Sequence, residues 1–533
     1  MAVERQSSSL PSAQPSYILR GHASQIHSVQ FVHNNRRLLT GDGDGWIVYW
    51  RVETKRALAV WKAHEGAILG TAEWGSDRII THGRDHSLRI WQLRAEDEPT
   101  LSTALPAEQA TEQHPKPWLL HTLPVNTLNF CAFSMCHSFS KHSQQESFPE
   151  GPKLSPLLDA SIFIAVPARD DKKIEVYQFP EEKLRYVVPR AQSTDTGMVM
   201  AVKLIHHSNA NILLVLAGYE GGIVAVHRLP RCKTGTSIEL AELVYLSKPH
   251  SQPVLSLDVA PDAKMFFSSS ADAVVAAHRI PDLINEVEEE EDLSSFERIQ
   301  ITTLPDAQVS KVDMEQSAAG TPAPTRLSDH ERLSSVTDPE GLQMGKPESV
   351  PTSETTNLQE LQDEPLSFAK QAVPQSQTAA SSPGGLSTLL SAAPQKKIKP
   401  VPPSQPTVNV QPPYKTIDTK HAGQQSLCIR SDGRLLATGG WDTRIRMYST
   451  KTLKEVAVLK WHKEGVYAVA FSKILEPGDL NGGNGENATC GDEISKRETG
   501  LTKLQRQREE KIQLKHWVVA GAKDGKVSLW EVF

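Results

Sequence analysis

The stretch GHASQIHSVQFVHNNRRLLTGDGDGWIVYW, residues 21–50, contains a pattern that recurs along the chain. It consists of a His, a Thr, an Asp in a Gly-rich turn and a Trp, here His22, Thr40, Asp44 and Trp50. A second complete copy follows as His64, Thr81, Asp85 and Trp91. An Asp also stands six residues before an aromatic residue at Asp171, Asp442 and Asp524. This recurrence is an internal repeat, and a repeat of this length is typical of a fold built from identical units.

Hydrogen bonding explains why these four residue types occur together. A carboxylate packed in a turn between strands is costly unless it is paired. A His ring from the preceding turn and a hydroxyl from the adjacent strand can both pair with it, and the indole N–H can complete the network. We therefore expect the His–Thr–Asp–Trp quartets to be structural rather than catalytic.

The segments between these positions have the composition of short strands. Residues 26–31, 37–40 and 46–50 are rich in β-branched and aromatic side chains and are bounded by Asp-Gly and Gly-Asp turns. Four such strands in each repeat, arranged radially, form a propeller blade. The quartet together with the Gly21-His22 pair resembles the WD40 repeat.

Seven repeats can be counted when decayed positions are included. Glu220 replaces the Asp in the fourth repeat, His278 replaces the Trp in the fifth, and Ala520 replaces the Thr in the seventh. The last repeat ends at its third strand, while residues 17–20 form a strand without a repeat of their own. We predict an all-β, seven-bladed WD40 β-propeller in which this N-terminal strand completes the last blade, because ring closure removes exposed sheet edges.

Long inserts interrupt the predicted blades. Residues 1–16 are expected to be a flexible N-terminus, residues 17–281 to form blades 1–5, and residues 414–533 to complete blade 5 and form blades 6 and 7. Residues 282–413 are rich in Pro, Ser, Glu and Gln and contain no Trp, so we expect them to be disordered. A flexible insert is also expected near 474–513, with smaller inserts at 96–115 and 137–158. All four inserts should emerge on one face of the propeller, which leaves short loops on the other.

The composition excludes several classes of protein. The 533 residues carry a formal net charge of -6, which argues against direct binding of nucleic acid. Five scattered Cys residues do not form a disulfide framework. The polar N-terminus has no signal-peptide core, and no apolar run is long enough to span a membrane. We expect a soluble intracellular protein.

Motifs for catalysis or metal binding are not convincing. The sequence has no Gly-x-Ser-x-Gly, Walker or His-Glu-x-x-His motif. Cys131, Cys136 and His137 lie close together but have no second pair of zinc ligands. We therefore expect no enzyme activity, no cofactor and no metal.

A candidate partner-binding set lies on the short-loop side of the predicted propeller. The residue just before each turn carboxylate should point out of that side, and these positions are Gly43, Arg84, Asp170, Tyr219, Ala271, Trp441 and Lys523. Four of them, Arg84, Tyr219, Trp441 and Lys523, are aromatic or cationic. Aromatic residues and Arg dominate interface hot spots, so these four are the predicted binding residues.

Sequence resemblance extends beyond the repeat itself. YILRGHASQIHSVQFV at residues 17–32, WKAHEGAILG at 61–70 and WVVAGAKDGKVSLWEVF at 517–533 resemble the fungal ASTRA-associated WD-repeat family. The chain is more distantly similar to the animal G-protein β-subunit-like WD-repeat family. The resemblance implies a scaffold of the ASTRA complex that is located in the nucleus, with the cytoplasm as a second location, and that has a role in chromatin remodelling. It also implies a link to the co-chaperone assembly that matures phosphatidylinositol-kinase-like kinases.

Two other scaffold functions remain as alternatives. A substrate receptor of a cullin-RING ubiquitin ligase would carry Trp-Asp-x-Arg after a third strand, whereas this chain has Trp91-Gln92-Leu93-Arg94. A G-protein β-like signalling scaffold of the heterotrimeric type would need an N-terminal helix for its γ partner. The 16 residues before the first strand contain Pro11 and Pro15, which disfavour such a helix.

Overall fold

The computed structural model describes residues 13–107, 115–126, 130–138, 161–191, 194–207, 212–230, 238–281, 408–481 and 500–532. In these ranges the chain forms seven sheets, each built on four antiparallel strands and arranged as a blade of a ring. The predicted seven-bladed propeller is confirmed.

Blades 1 to 3 follow one another along the chain. The chain starts with β1 (Tyr17–Arg20), which belongs to the last blade. Blade 1 consists of β2 (Ile26–Val32), β3 (Arg37–Asp42), β4 (Trp46–Arg51) and β5 (Arg56–Lys62). Blade 2 consists of β6 (Ile68–Trp74), β7 (Arg78–Gly83), β8 (Ser87–Gln92) and β9 (Trp118–Pro124). Blade 3 consists of β10 (Ser134–His137), β11 (Ile162–Pro167), β12 (Ile174–Phe179) and β13 (Lys183–Val188).

Blades 4 and 5 come next. Blade 4 consists of β14 (Val199–His206), β15 (Leu213–Tyr219), β16 (Val224–Leu229) and β18 (Glu242–Ser247). The short strand β17 (Glu239–Leu240) lies between β16 and β18 in sequence but pairs in parallel with β13 of blade 3. Blade 5 consists of β19 (Val254–Val259), β20 (Met265–Ser270), β21 (Val274–Arg279) and β22 (Lys415–Asp418).

Blades 6 and 7 complete the ring. Blade 6 consists of β23 (Gln424–Ile429), β24 (Leu435–Gly440), β25 (Arg444–Ser449) and β26 (Glu455–Lys460). Blade 7 combines β27 (Val466–Phe471), β28 (Trp517–Ala522) and β29 (Lys526–Glu531) with β1. The described helices are a 3-10 turn (Glu98–Thr100), α1 (Pro477–Asn481) and α2 (Gly500–Gln513).

Ring closure by the N-terminal strand is confirmed. Strand β1 pairs antiparallel with β29, with Leu19 opposite Val527. Leu19 is buried in a cluster with Val519 and Leu529 of blade 7 and with Trp50 of blade 1. Because β1 covers the outer edge of β29, blade 7 contains four antiparallel strands, as every other blade does.

The hydrophobic core lies between neighbouring blades. Among the described residues, each junction between two blades contains its own cluster of buried side chains. At the junction of blades 1 and 2, the rings of Trp61 and Trp91 meet edge to face with their centroids 6.3 Å apart. Each sheet is therefore covered on both faces, which is why second strands such as β11 (IFIAVP) and β15 (LLVLAGY) are nearly continuous apolar runs.

The large insert leaves blade 5 between β21 and β22. The prediction of disorder falls on residues 282–407, which lie outside the described residues. Its C-terminal end is attached to blade 4: the side chain of Val408 packs against the cluster between blades 3 and 4, and the Gln411 N–H donates to the Leu246 carbonyl at 2.8 Å. Residues 408–413 therefore belong to the folded part, and the predicted boundary at 413 is wrong by a few residues.

The insert of blade 7 departs from the sequence prediction. We predicted a flexible segment near 474–513, but residues 500–513 form helix α2, and its C-terminal end is docked on blade 1. The buried Asn35 side chain donates to the carbonyls of Lys473, at 2.7 Å, and Gln513, at 3.0 Å. Its amide oxygen accepts the Lys473 N–H at 2.9 Å. One side chain thus holds both ends of the insert, which amphipathic periodicity alone does not reveal.

The insert after β8 also packs on the propeller where it is described. Glu98 pairs with Arg37 at 3.3 Å, and Leu101 is buried between blades 1 and 2. The Ala107 N–H donates to the Gly21 carbonyl at 2.7 Å. This segment crosses the outer edge of blade 1. No helix in the described ranges is long and apolar enough to cross a membrane.

Candidate protein-interaction surface

The polar quartets lie beneath the turns that join second and third strands. In blade 2, His64 contacts Asp85 through Nδ1 at 2.9 Å and Thr81 through Nε2 at 2.7 Å. The Trp91 indole donates to the same hydroxyl at 2.8 Å. Burial by itself raises the pKa of Asp85, but hydrogen bonds from His64, the Glu65 N–H and Ser87 outweigh it and hold that pKa well below its usual range. The network fixes the turn that carries Arg84.

The quartet of blade 1 uses a different carboxylate from the one predicted. Nδ1 of His22 lies 2.7 Å from Asp42, and the prediction that Asp44 fills this role is wrong. Asp42 also accepts the N–H groups of Asp44, at 3.0 Å, and Trp46, at 2.9 Å. The equivalent position in blade 2 is Gly83, where a Cβ atom would lie 2.2 Å from the His64 ring. A side chain at that position therefore contacts the His directly, and the later Asp is not needed.

The remaining members of the blade 1 quartet are in contact. His22 Nε2 lies 2.6 Å from the Thr40 hydroxyl, and the Trp50 indole donates to that hydroxyl at 2.8 Å. Blade 5 contains an equivalent network with other residue types: His250 contacts Ser268 at 2.8 Å and Asp272 at 3.3 Å. His278 replaces the Trp and lies 3.2 Å from the Ser268 hydroxyl.

Three of the four predicted binding residues are exposed at turn tips on one face. This short-loop face is the side on which the turns between second and third strands and the links between blades emerge. The backbone N–H groups of Arg84, Trp441 and Lys523 each donate to a carbonyl of the preceding inter-blade link, at 2.8, 3.0 and 2.9 Å. The three turns are therefore equivalent, and their side chains are directed to solvent.

Tyr219 does not belong to this surface, and the prediction for it is wrong. Its side chain is 1 % exposed and is packed between blades 3 and 4. Strand β15 continues through Tyr219, so it is the Glu220 N–H that donates to the inter-blade link, at 2.9 Å to the Met198 carbonyl. A shift of one residue along a strand reverses the direction of a side chain. The degenerate turn of blade 4 thus places its aromatic residue in the core.

A ring of bulges surrounds the mouth of the central channel on the short-loop face. In six blades the pairing of the first strand with the second skips the second residue of the first strand. These six residues, here called the mouth ring, are His27, Leu69, Met200, Leu255, Gln425 and Tyr467. Bulges redirect side chains, and all six line one cavity of about 580 Å³.

Blade 3 contributes an aromatic residue to the same cavity from outside its strands. Phe130 precedes β10, has a left-handed backbone with φ of 56°, and is 56 % exposed. The guanidinium of Arg84 stacks on its ring, 3.7 Å from the centroid. A bulky residue in this conformation costs about 1 to 3 kcal/mol, and such strain clusters at binding sites. Sequence reasoning missed Phe130 because the repeat pattern of blade 3 has decayed.

Trp441 is held in place on the opposite side of the cavity. Its indole donates to the Gln425 side chain at 2.9 Å, and its ring covers Gly423, whose absent Cβ would lie 2.0 Å from the ring. The outer part of the side chain remains 46 % exposed. Its backbone also contacts Gly465, whose carbonyl accepts the Lys523 N–H. The rim therefore runs from Arg84 and Phe130 across the cavity to Trp441 and then to Lys523.

The rim of the cavity carries the cations Arg84 and Lys523, while the charge in its wall is an ion pair. No carboxylate side chain in the described ranges lines the cavity, whereas the side chain of Lys203 does. The charge of Asp258, whose carboxylate lies 2.8 Å from the Lys203 ammonium, raises the pKa of Lys203 and keeps it protonated. Among the described residues, Arg84 makes no ion pair, and its guanidinium stacks on the ring of Phe130. Burial lowers the pKa of His27, so this ring is neutral.

Comparison with known proteins gives a consistent assignment. The family model described as ASTRA-associated protein 1 matches residues 15–321, and that for the WD domain, G-beta repeat, matches residues 413–449. The chain belongs to the ASTRA-associated protein 1 family. ASTRA-associated protein 1 of Pyricularia oryzae is 37 % identical over 98 % of this chain and 97 % of its own length. The protein of that name from Aspergillus flavus is 34 % identical over 98 % of both chains.

More distant members of the ASTRA-associated protein 1 family also match along most of the chain. The Schizosaccharomyces pombe protein is 26 % identical over 86 % of this chain and 93 % of its own length. The predicted family resemblance is therefore confirmed. The similarity extends over the whole propeller and is not limited to the repeat pattern, which unrelated WD40 proteins share.

Proposed function

We propose that this protein is a non-enzymatic scaffold subunit of the ASTRA complex. The proposal rests on the match to the proteins named ASTRA-associated protein 1. The two matches from Pyricularia oryzae and Aspergillus flavus cover nearly the full length of this chain and of the relative. The fold supports a binding role, because WD40 propellers present rigid surfaces to other proteins. The proposed activity is to hold partner subunits together in the nucleus, in chromatin remodelling and in the maturation of phosphatidylinositol-kinase-like kinases.

The short-loop face is the proposed partner-binding surface. It presents the exposed rings of Phe130 and Trp441 beside the cations Arg84 and Lys523, and aromatic residues and Arg are enriched at interfaces. Asp85, held by His64, and Asp442, held by Arg446, fix the turns that carry Arg84 and Trp441, so little conformational entropy is lost when a partner binds. The strand ends from which the inserts of blades 2, 3, 5 and 7 leave lie on the opposite face.

The polar networks beneath this face support a structural rather than a catalytic role. The His and Asp side chains that could act as acids and bases are engaged with each other and with hydroxyls, as in the contacts of His64 with Asp85 and Thr81. Burial lowers the pKa of His278 to about 3 and that of His462 to about 4. A general base works best with a pKa near the pH at which it operates, so these residues are poorly suited to catalysis at neutral pH.

Affinity purification of the chain, tagged at its chromosomal locus, followed by mass spectrometry tests the proposal. We expect ASTRA subunits and their co-chaperones to be recovered in near-stoichiometric amounts from nuclear extract. Recovery of a cullin with its adaptor would instead support a ubiquitin-ligase receptor, and recovery of a G-protein γ subunit would support a signalling scaffold. Either result, without ASTRA subunits, would overturn the proposed function.

A further inference from the structure

The channel mouth has the features of a site for one defined side chain. Six bulges direct the mouth ring inward, and the aliphatic members Leu69, Met200 and Leu255 provide an apolar wall. Phe130 and Trp441 stand at the rim, each with about half of its side chain exposed. A cavity of about 580 Å³ is large enough for a Phe or Leu side chain together with part of its backbone.

Two polar groups at the mouth lack partners of their own. Nε2 of His27 is buried and has no hydrogen-bond partner among the described residues, although the ring stacks on Tyr467 with centroids 5.8 Å apart. The Arg84 guanidinium touches the Phe130 ring and no described carboxylate. A buried polar atom without a partner is unfavourable, and a ligand that supplies the missing hydrogen bond would remove this cost.

We propose that this mouth binds a short segment of a partner protein in which a large apolar side chain is flanked by Asp or Glu. The apolar side chain enters the mouth ring, and the carboxylate pairs with Arg84 at the rim. This deepens the proposed scaffold function and rests on it, since it names the kind of segment that an ASTRA partner would present to the short-loop face.

The charge distribution selects this ligand over two others. A methylated lysine also binds aromatic rings, but here the Arg84 guanidinium already covers the ring of Phe130, and no carboxylate in the described ranges lines the cavity to stabilise a second cation. Single-stranded nucleic acid also stacks on aromatic rings. Beyond the mouth, however, the short-loop face carries exposed carboxylates such as Asp44, Glu220 and Glu464, which would repel a phosphate backbone.

A random 12-residue peptide library displayed on phage, selected on the immobilised full-length protein, tests the proposal. Enriched peptides should share one large apolar residue with Asp or Glu within a few positions. By fluorescence anisotropy, a labelled enriched peptide should bind Phe130→Ala or Met200→Glu about 30-fold more weakly, which corresponds to the loss of one hot spot. Arg84→Glu should weaken binding to a similar extent and should remove the preference for acidic peptides.

Matched variants away from the mouth control for effects on folding. Trp118 is 73 % exposed on the outer strand of blade 2, and the Arg434 side chain is 83 % exposed on the insert-bearing side. Trp118→Ala and Arg434→Glu should leave peptide affinity unchanged, and all variants should keep the unfolding midpoint of the parent chain. A mouth variant that unfolds at a lower temperature would leave its weaker binding open to a folding effect. In that case a fivefold excess of unlabelled peptide must still displace the labelled peptide from the folded parent chain for the proposal to stand.

Three results would overturn the inference. In the first, the library yields basic peptides or no enriched peptide. In the second, the mouth variants bind the enriched peptide as tightly as the parent chain does. In the third, the parent chain binds a trimethyl-lysine peptide or a labelled oligouridylate more tightly than the enriched peptide. The proposed function fails separately. If ASTRA subunits co-purify with the Phe130→Ala chain as well as with the parent, the scaffold function stands and the mouth is not the contact. If the peptides bind as expected but no ASTRA subunit co-purifies with the parent chain, the scaffold proposal fails instead.

Discussion

The hydroxyl of Ser528 lies 2.7 Å from Nε2 of His462 and also accepts the indole N–H of Trp530 at 2.8 Å. In blades 1 and 2 the equivalent hydroxyl comes from a Thr on the second strand, but in blade 7 that position is Ala520. Ala520 pairs directly with Ser528 on the neighbouring strand, so the hydroxyl reaches the same space from the third strand. Blade 7 therefore contains the same His–hydroxyl–Trp network, although its hydroxyl belongs to a residue of the third strand instead of the second.

The first prediction concerns this hydroxyl. Ser528→Ala should reduce the free energy of unfolding by about 1 to 3 kcal/mol, because two buried ring nitrogens lose their partner. Urea unfolding followed by tryptophan fluorescence measures the change. Ser76→Ala, in an exposed turn of blade 2, is the control and should be neutral. An equally stable Ser528→Ala chain would mean that the hydroxyl is not the shared acceptor of the blade.

Ring closure can be tested by truncation. Deleting residues 1–21 removes β1 and should lower the free energy of unfolding by at least about 2 kcal/mol, since the burial of Leu19 alone contributes that much. It also exposes the edge of β29, so the truncated chain should aggregate more readily. Deleting residues 1–12, which lie before the described part, should have no effect. Identical melting of the two truncated chains would rule out closure by β1.

Stability should fall in mild acid. Burial lowers the pKa values of His82 and His278 to about 3, and those of His227 and His462 to about 4. These rings are neutral in the folded protein but take up protons on unfolding once the pH drops below about 6.5. Stability is therefore full above that pH and declines towards pH 4, by up to about 1.4 kcal/mol per pH unit for each ring.

A substitution separates one of these rings from the others. His278→Gln keeps a side chain able to hydrogen-bond to Ser268 but cannot titrate. The free energy of unfolding of this variant, measured between pH 7.5 and 4.5, should change less steeply with pH than that of the parent. The difference in slope should correspond to at most one fewer proton taken up on unfolding. A slope equal to that of the parent would show that His278 is not neutral when folded.

The docking of helix α2 makes a local prediction. Asn35→Ala removes three hydrogen bonds to the two ends of the blade 7 insert, so amide hydrogen exchange should accelerate within residues 505–513. Lys503→Ala, at an exposed position of the same helix, is the control. Mass spectrometry of the exchanged protein measures both. Unchanged protection in Asn35→Ala would place the anchor of the helix elsewhere, for example at Trp517, whose indole contacts the Ile512 carbonyl at 3.2 Å.

The sequence predicts the architecture well because the quartets encode it locally. Each contains its own hydrogen-bond partners, so spacing alone identifies the blades and the strand that closes the ring. The errors arise where a short-range change redirects a side chain. In blade 1 the position equivalent to Gly83 is occupied by Asp42, which contacts His22 in place of Asp44. One extra residue in β15 buries Tyr219.

The binding surface is less accessible to sequence reasoning. The mouth ring depends on bulges, which have no residue signature in these strands, and Phe130 lies in a blade whose repeat has decayed. A partial signal exists in retrospect: the second residue of each first strand is a position that neither the quartet nor the core requires. The attachments of the inserts, such as that of Asn35 to Gln513, join residues 478 positions apart and leave no local pattern.

The most direct test of the partner-binding face is co-purification with a double variant. A folded Trp441→Ala, Arg84→Glu chain, expressed from its own locus, should lose its co-purifying ASTRA subunits, because hot-spot truncations cost roughly 2 kcal/mol or more each. The matched Trp118→Ala, Arg434→Glu chain, altered at exposed residues away from the channel mouth, should retain them. Retention of every subunit by the Trp441→Ala, Arg84→Glu chain would contradict the account and move the interface to the insert-bearing face.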